Sequence, residues 1–326
     1  MKKMKTRRII GYAILALVLI FLLWIGYLYF ILPRIPVPEI KVESTMERME
    51  RGKYLANHVT VCIDCHSTRE WAKFSGPVTP GTEGKGGERF DQKMGFPGTF
   101  YSSNITPYNL ANWTDGEIYR AITSGVGKGN RPLFPVMPYV YYGKLDTEDI
   151  YSIIAYIRSL RPIASKTPES KADFPMNLIL HVIPSPAKPE TKPFRSDTVE
   201  YGKYLVTAAG CIECHTQVKN GRIIIDLAFS GGREFQMPDG LLYSPNITPD
   251  NETGIGLWTR NAFLGRFKTY DPSTYTPQEV KKGDLMTIMP WTMYAGMDTA
   301  DLVSVYDYLK TLNPVSNKVV RWIPAR

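Results

Sequence analysis

Cys62-Ile63-Asp64-Cys65-His66 and Cys211-Ile212-Glu213-Cys214-His215 use all four cysteines of a 326-residue chain and two of its four histidines. Cys-x-x-Cys-His is the attachment sequence of c-type haem. Each thiol adds across one vinyl group to make a thioether, and the adjacent imidazole is held under the iron as an axial ligand. Two intervening residues let both sulfurs reach the vinyls while the chain turns into the histidine. The pattern predicts two covalently bound haem c groups, one on Cys62, Cys65 and His66 and one on Cys211, Cys214 and His215. Two rival chemistries fit less well. A thioredoxin-like redox pair needs a βαβ context that is missing here. A structural zinc would gather four thiolates, whereas these pairs lie 149 residues apart, each with its own downstream sequence.

Working outward, every landmark around the first motif returns around the second. Gly52-Lys53-Tyr54-Leu55 recurs as Gly202-Lys203-Tyr204-Leu205, Asn104-Ile105-Thr106-Pro107 as Asn246-Ile247-Thr248-Pro249, and Trp113-Thr114 as Trp258-Thr259. Residues 133–163 align without gaps on 285–315, pairing Met137 with Met289, Asp149 with Asp301 and Tyr156 with Tyr308. A duplicated order of landmarks predicts two tandem domains of one kind.

The sixth ligand follows from the same alignment. Haem iron in electron-transfer cytochromes commonly takes His and Met. Met137 and Met289 hold equivalent places, each precedes a proline, and each lies some seventy residues past its histidine. The predicted metal ligands are therefore His66 with Met137 and His215 with Met289. Met237-Pro238, Met286, Met293 and Met297 compete for the second site. His58 and His181 have no counterpart in the other copy and read as surface or packing residues. Asn104 and Asn246, with Thr106 and Thr248, are expected to fix backbone turns or to hydrogen-bond near haem propionates.

From Ile9 to Leu32 the chain runs 24 residues without a charge, enough for a helix to span a bilayer, which takes about 20. Lys2, Lys3, Lys5, Arg7 and Arg8 precede the run and should stay cytoplasmic, while Trp24, Tyr27 and Tyr29 suit the far interface. A cleaved signal has a shorter apolar core and a small-residue cleavage site; this run leaves through Leu32-Pro33-Arg34-Ile35-Pro36. The expectation is an uncleaved, single-pass anchor in the bacterial cytoplasmic membrane, with the remainder on the periplasmic side. The formal charge of +8 does not point to nucleic acid. Beyond the apolar run 34 basic residues face 31 acidic ones, and no basic stripe appears.

The division that results is a basic end and anchor over 1–33, a spacer over 34–47, a first domain over 48–165, a linker over 166–197 and a second domain over 198–326. Six prolines between 168 and 193 forbid a continuous helix in the linker, which should drape over both domains with its apolar centre, Phe174 to Ile183, packed. Helices are expected over Glu50 to His58, over Val199 to Ala208, and after a Thr114-Asp115-Gly116-Glu117 capping box. Two final helices should be capped by Asp146 and Asp298. Their apolar stripes are Ile150, Ile153, Ile154 and Ile157, and Leu302, Val305, Tyr306 and Leu309. The Gly-rich stretches 75–101 and 218–243 read as irregular, with one short strand possible over Arg222 to Ile225.

Tyr243-Ser244-Pro245-Asn246-Ile247-Thr248-Pro249-Asp250, Thr253-Gly254-Ile255-Gly256-Leu257-Trp258-Thr259, then Met289-Pro290-Trp291 and an aliphatic last helix carry a resemblance. The chain resembles the cytochrome c subunits of membrane-bound bacterial alcohol, aldehyde and sugar-acid dehydrogenases, over roughly residues 48 to 318. The first copy departs from the pattern at Tyr108-Asn109-Leu110-Ala111-Asn112. Many members carry three haem motifs and a C-terminal membrane segment, where this chain has two motifs and an N-terminal apolar run. The resemblance implies a mostly α protein: an N-terminal transmembrane helix followed by two tandem class I cytochrome c domains. It also implies a task, to accept electrons from a dehydrogenase and pass them toward quinone or a terminal oxidase without itself catalysing substrate chemistry. Two other readings share the motifs. A subunit of a respiratory oxidase or quinol-oxidising complex would use the anchor to pack in a larger assembly. A di-haem peroxidase would need one displaceable sixth ligand, against which the matched methionines argue.

Overall fold

A computed structural model describes residues 2–325, with side chains from Thr6 onward. The predicted basic side chains of Lys2, Lys3 and Lys5 fall outside those described. Helices supply most of the regular structure. Helix α1, Lys2–Phe30, is long and apolar enough to cross a membrane, and its apolar window is wholly unburied.

In the first copy α2, Met46–Tyr54, is capped by Thr45 and runs on through a π-turn, Leu55–Val59, into α3, Cys62–Cys65. After a loop region come α4, Pro107–Leu110, and α5, Asp115–Ser124, which opens on the Thr114–Glu117 capping box and stops at Gly125 in the left-handed region. Helices α6, Tyr139–Tyr142, and α7, Thr147–Ser159, complete the copy. A short α8, Met176–Ile179, lies in the connection. The second copy repeats the order, without an α4 counterpart among the described residues, as α9, Thr198–Ala208; α10, Cys211–Cys214; α11, Arg260–Lys268; α12, Trp291–Tyr294; and α13, Thr299–Lys310.

Why Gly-Lys-Tyr-Leu recurs is visible where α2 crosses α7 and α9 crosses α13. A Cβ on Gly52 would stand 1.8 Å from the Ser152 carbonyl oxygen, and one on Gly202 1.9 Å from that of Ser304. Only glycine permits so close a crossing. The expected stripes face this contact: Ile150, Ile153, Ile154 and Ile157 are buried, as are Leu302, Val305 and Leu309. Tyr306 is only half-buried and donates its hydroxyl to the Trp258 carbonyl. Asp146 caps α7 through the Glu148 amide, but Asp298 makes no such bond at α13 and faces Arg195 instead.

The two copies meet through reciprocal contacts. Tyr54 donates to Asp301 at 2.7 Å and Tyr204 donates to Asp149 at 2.8 Å. The amide of Asp298 donates to the Tyr54 hydroxyl, and that of Asp146 to the Tyr204 hydroxyl. Residue i of one copy touching j of the other, and j touching i, is the signature of a two-fold relation. One hydrophobic cluster runs through both copies, from Leu55 and Ile150 to Leu205 and Leu302.

The Gly-rich stretches are less irregular than their composition predicts. Strand β1, Arg89–Phe90, pairs with β2, Gly98–Tyr101, and β2 with β3, Lys171–Ala172. In the second copy β4, Val218–Lys219, pairs with β5, Arg222–Ile223, while β6, Glu234–Met237, pairs with β7, Gly240–Tyr243, and β7 with β8, Trp322–Pro324. Strands of two to four residues are too short to display an alternating pattern. The segments expected to be a spacer and a linker are both docked. Arg120 donates to the Ile35 carbonyl, and the Val42 amide to Asp115. The linker adds β3 to β2, then returns along the first copy through bonds from the Lys188 and Glu190 amides to the Gly143 and Lys144 carbonyls.

Candidate functional site

Each Cys-x-x-Cys-His motif folds as one helical turn closed by a bond from the histidine amide to the first cysteine's carbonyl, 2.9 Å in both copies. Cysteines three apart on a turn share a face. The residue before each turn is left-handed: Val61 at φ 45° and Gly210 at φ 62°. A β-branched residue there is strained, and it is held where the end of α2 must bend sharply into α3.

Both histidines are then fixed alike. His66 Nδ1 lies 2.7 Å from the Ser103 carbonyl oxygen, and His215 Nδ1 lies 2.9 Å from that of Pro245. A carbonyl only accepts, so Nδ1 carries the proton and Nε2 keeps its lone pair for another partner. Burial pulls both imidazoles below the usual histidine range, favouring the neutral form that ligates metals. The carbonyls are presented by the duplicated Asn-Ile-Thr-Pro turns. Asn104 Oδ1 accepts from the Thr106 amide and hydroxyl, and its Nδ2 donates to the Ile163 and Ser165 carbonyls. Asn246 does the same with Thr248, Thr253 and Val315. Of the two roles expected for these asparagines, the geometry gives turn fixing. Gly86 and Gly231, both at φ 73°, bring their loops against these turns and donate to the His66 and His215 carbonyls.

The four thiols are free and half-buried. Burial pushes Cys65 and Cys211 up to about 12 and raises Cys62 and Cys214 as well, so none is set up as a thiolate. Among the described residues no three His, Cys, Asp or Glu converge on a common point. The acid inside each motif has an arginine partner. Asp64 pairs with Arg69 at 3.0 Å, burial nevertheless raising its carboxyl to about 6, and Glu213 pairs with Arg233 at 3.3 Å.

Met137 and Met289 occupy matching turns on the shared core, with the amides of Tyr139 and Trp291 donating to their carbonyls at 2.8 Å. Two tyrosines that the motif reading missed tie these turns to the cysteines. Tyr142 donates to the Thr60 carbonyl and Tyr294 to that of Ala209, just before each motif. Their hydroxyls are raised by burial and by neighbouring thiols, Cys62 and Cys65 for one, Cys211 and Cys214 for the other. The signal was present in the alignment, since 142 and 294 fall in the gapless block. Of the competing methionines, Met286 and Met297 are buried, Met293 lies in α12 and Met237 ends β6 at its hairpin. His58 wedges against Gly296 with Nδ1 on the Met293 carbonyl, and the His181 ring lies tilted at 59° against that of Tyr29.

The free Nε2 beside a paired-thiol turn, present twice, fits a c-type haem at each place. No family model matches the chain. It is 30% identical over 233 residues to the fructose dehydrogenase cytochrome subunit of Gluconobacter japonicus, covering 68% of this chain and 44% of that protein. It is 26% identical over 280 residues to the gluconate 2-dehydrogenase cytochrome c subunit of Pantoea cypripedii, covering 81% and 59%. A diheme cytochrome c-type protein of Cereibacter sphaeroides is 27% identical over 207 residues, covering 58% and 63%. The homologues are thus cytochromes c, which implies haem c as the cofactor. More particularly, most are cytochrome c subunits of sugar, alcohol and sugar-acid dehydrogenases, and the chain spans about half the length of the first of them.

Proposed function

We propose that this chain is a membrane-anchored di-haem c-type cytochrome that relays electrons from a dehydrogenase toward quinone or a terminal oxidase. The observation that carries the reading is the pair of histidines, each at the end of a Cys-x-x-Cys turn with Nδ1 committed to a carbonyl and Nε2 left for iron. On this reading residues 48–165 and 198–326 are two tandem class I cytochrome c domains. Cys62, Cys65 and His66, and Cys211, Cys214 and His215, would hold one haem each, the thiols by thioethers and the imidazole at the iron. Met137 and Met289 would supply the second iron ligand at each site, and α1 would hold both domains on the periplasmic face of the inner membrane.

Bound haem would supply a one-electron iron couple whose potential follows axial ligand, burial and hydrogen bonding. The chain's own residues do the tuning. The Ser103 and Pro245 carbonyls hold the imidazole tautomer, while the shared apolar core packs against Cys62, Cys211, Met137 and Met289. The partner follows from the relatives' names, so its identity is tested by purification in mild detergent with mass spectrometry of what stays bound. A co-purifying dehydrogenase is expected; oxidase or quinol-oxidising subunits in its place would recast the chain as part of a respiratory complex. Haem staining of the denatured chain should survive loss of one motif and vanish only with both. Fewer than two haems per chain by visible spectra sinks the di-haem reading.

A further inference from the structure

The apolar centre of the linker and the outer end of α1 form one continuous patch. Helix α8 and the 3-10 turn after it, Leu180–Val182, lie against the last turns of α1. Asn177 Nδ2 donates to the Tyr29 hydroxyl at 3.1 Å, and His181 Nδ1 lies 3.0 Å from the Leu32 carbonyl oxygen. Leu28 is buried here, although Trp24, Tyr27 and Phe30 around it are exposed. From Phe174 to Ile183 the segment carries no Asp, Glu, Lys or Arg. Its buried side is Leu180, while Phe174 is 80% exposed, Ile179 42% and Val182 57%.

We infer that Phe174–Ile183 is a second membrane contact, a foot whose Phe174, Ile179 and Val182 side chains enter the headgroup–acyl boundary of the bilayer that α1 crosses. The inference rests on the anchor reading of α1. Leu28 lies four residues inside the end of the apolar run, about 6 Å along the helix axis at the rise of an α-helix. Interfacial apolar faces are buried about 5–10 Å. The two depths agree, and the aromatic residues of α1 at this level are of the kind that favours the interface. The foot is also tied to the haem-bearing body. β3 is paired with β2 two residues before Phe174, and the chain rejoins the first copy at Lys188. Lipid contact at the foot would therefore fix how the head is tilted on the membrane, which a single flexible tether cannot do.

Nitroxide labels at Phe174→Cys, Ile179→Cys and Val182→Cys, with Leu19→Cys as the reference inside α1, test this. The full-length holoprotein is reconstituted in phosphatidylethanolamine–phosphatidylglycerol vesicles with no reductant present, and the unsubstituted chain serves as labelling blank. Collisions are measured with oxygen, which enters lipid, and with a nickel chelate, which stays in water. At the three foot positions nickel collisions should fall several-fold below those of free label while oxygen collisions persist, with Leu19 shielded further. Nickel access equal to free label at the foot, with Leu19 shielded, overturns the foot and leaves the anchor. Loss of both collision rates at the foot means protein covers it, a second copy or a partner helix, and overturns the lipid contact. Nickel access at Leu19 overturns the anchor and the foot together.

Discussion

Asn104 and Asn246 act on His66 and His215, the proposed iron ligands, through the carbonyls that hold them. Each spends both amide donors and its carbonyl oxygen on a turn whose preceding carbonyl accepts the hydrogen bond of the imidazole Nδ1–H. Replacing Asn246 by Ala strands the Val315 carbonyl and the Thr248 amide, and should cost about 1–3 kcal/mol in thermal unfolding. Because the Pro245 carbonyl loses its support, the potential of the second haem should move as well; a stability loss with no change in potential would make the asparagine purely structural. The methionine assignment is tested at the same scale. Met137→His or Met289→His should each lower one haem's potential while both haems stay attached, since a thioether favours ferrous iron. If neither substitution alters a potential or a visible spectrum, the sixth ligands are other residues.

At the scale of elements, the helix crossings decide how closely each copy is built. Gly52→Ala and Gly202→Ala would each drive a methyl into a backbone carbonyl that cannot swing aside. Each should destabilise by about 3 kcal/mol, the upper range for overpacking, visible as a lowered Tm with haem content unchanged. The short strands behave differently, since β3 and β8 are contributed by the linker and the C-terminal segment. They join the Gly-rich loops to chain that is remote in sequence, which no local pattern announces.

For the whole molecule, the reciprocal Tyr–Asp contacts place two equivalent carboxylates in unequal fields. Burial works against the Asp149 charge, but hydrogen bonds and charge from Arg51 and Lys192 overcome it and hold the carboxyl below its ordinary value. Burial dominates at Asp301 and raises it; Tyr54 and the more distant Arg195, at 3.5 Å, only partly compensate. The linkage signs are opposite. Asp149 contributes stability above the ordinary carboxylate pKa of about 3.9, lost as pH falls through its depressed value. Ionised Asp301 is a cost above its raised pKa, relieved on acidification. Asp149→Ala should therefore destabilise by about 3–5 kcal/mol near neutrality by leaving Arg51 uncompensated. Asp301→Asn should be near neutral or stabilising at pH 7, with the difference from wild type vanishing in acid. Thermal unfolding of both variants from pH 7 to below pH 4 measures this, and equal losses at pH 7 would refute the asymmetry.

The residues proposed to carry chemistry are legible along the chain, because each Cys-x-x-Cys-His motif is five consecutive residues and duplication marks what surrounds it. The apolar run of α1, the capping box at Thr114 and the aliphatic stripes of α7 and α13 were legible for a similar reason, since their signals repeat within one or two helical turns. Only the tertiary structure decided which carbonyls hold His66 and His215, that Tyr142 and Tyr294 bind each methionine turn to its cysteines, and that the two copies share one core. Those contacts join residues tens to hundreds of positions apart, and hydrogen-bond direction and burial exist only once the chain has brought them together. The same reason explains His181: nothing in its neighbours along the sequence says that it rests on Leu32, at the end of the apolar run.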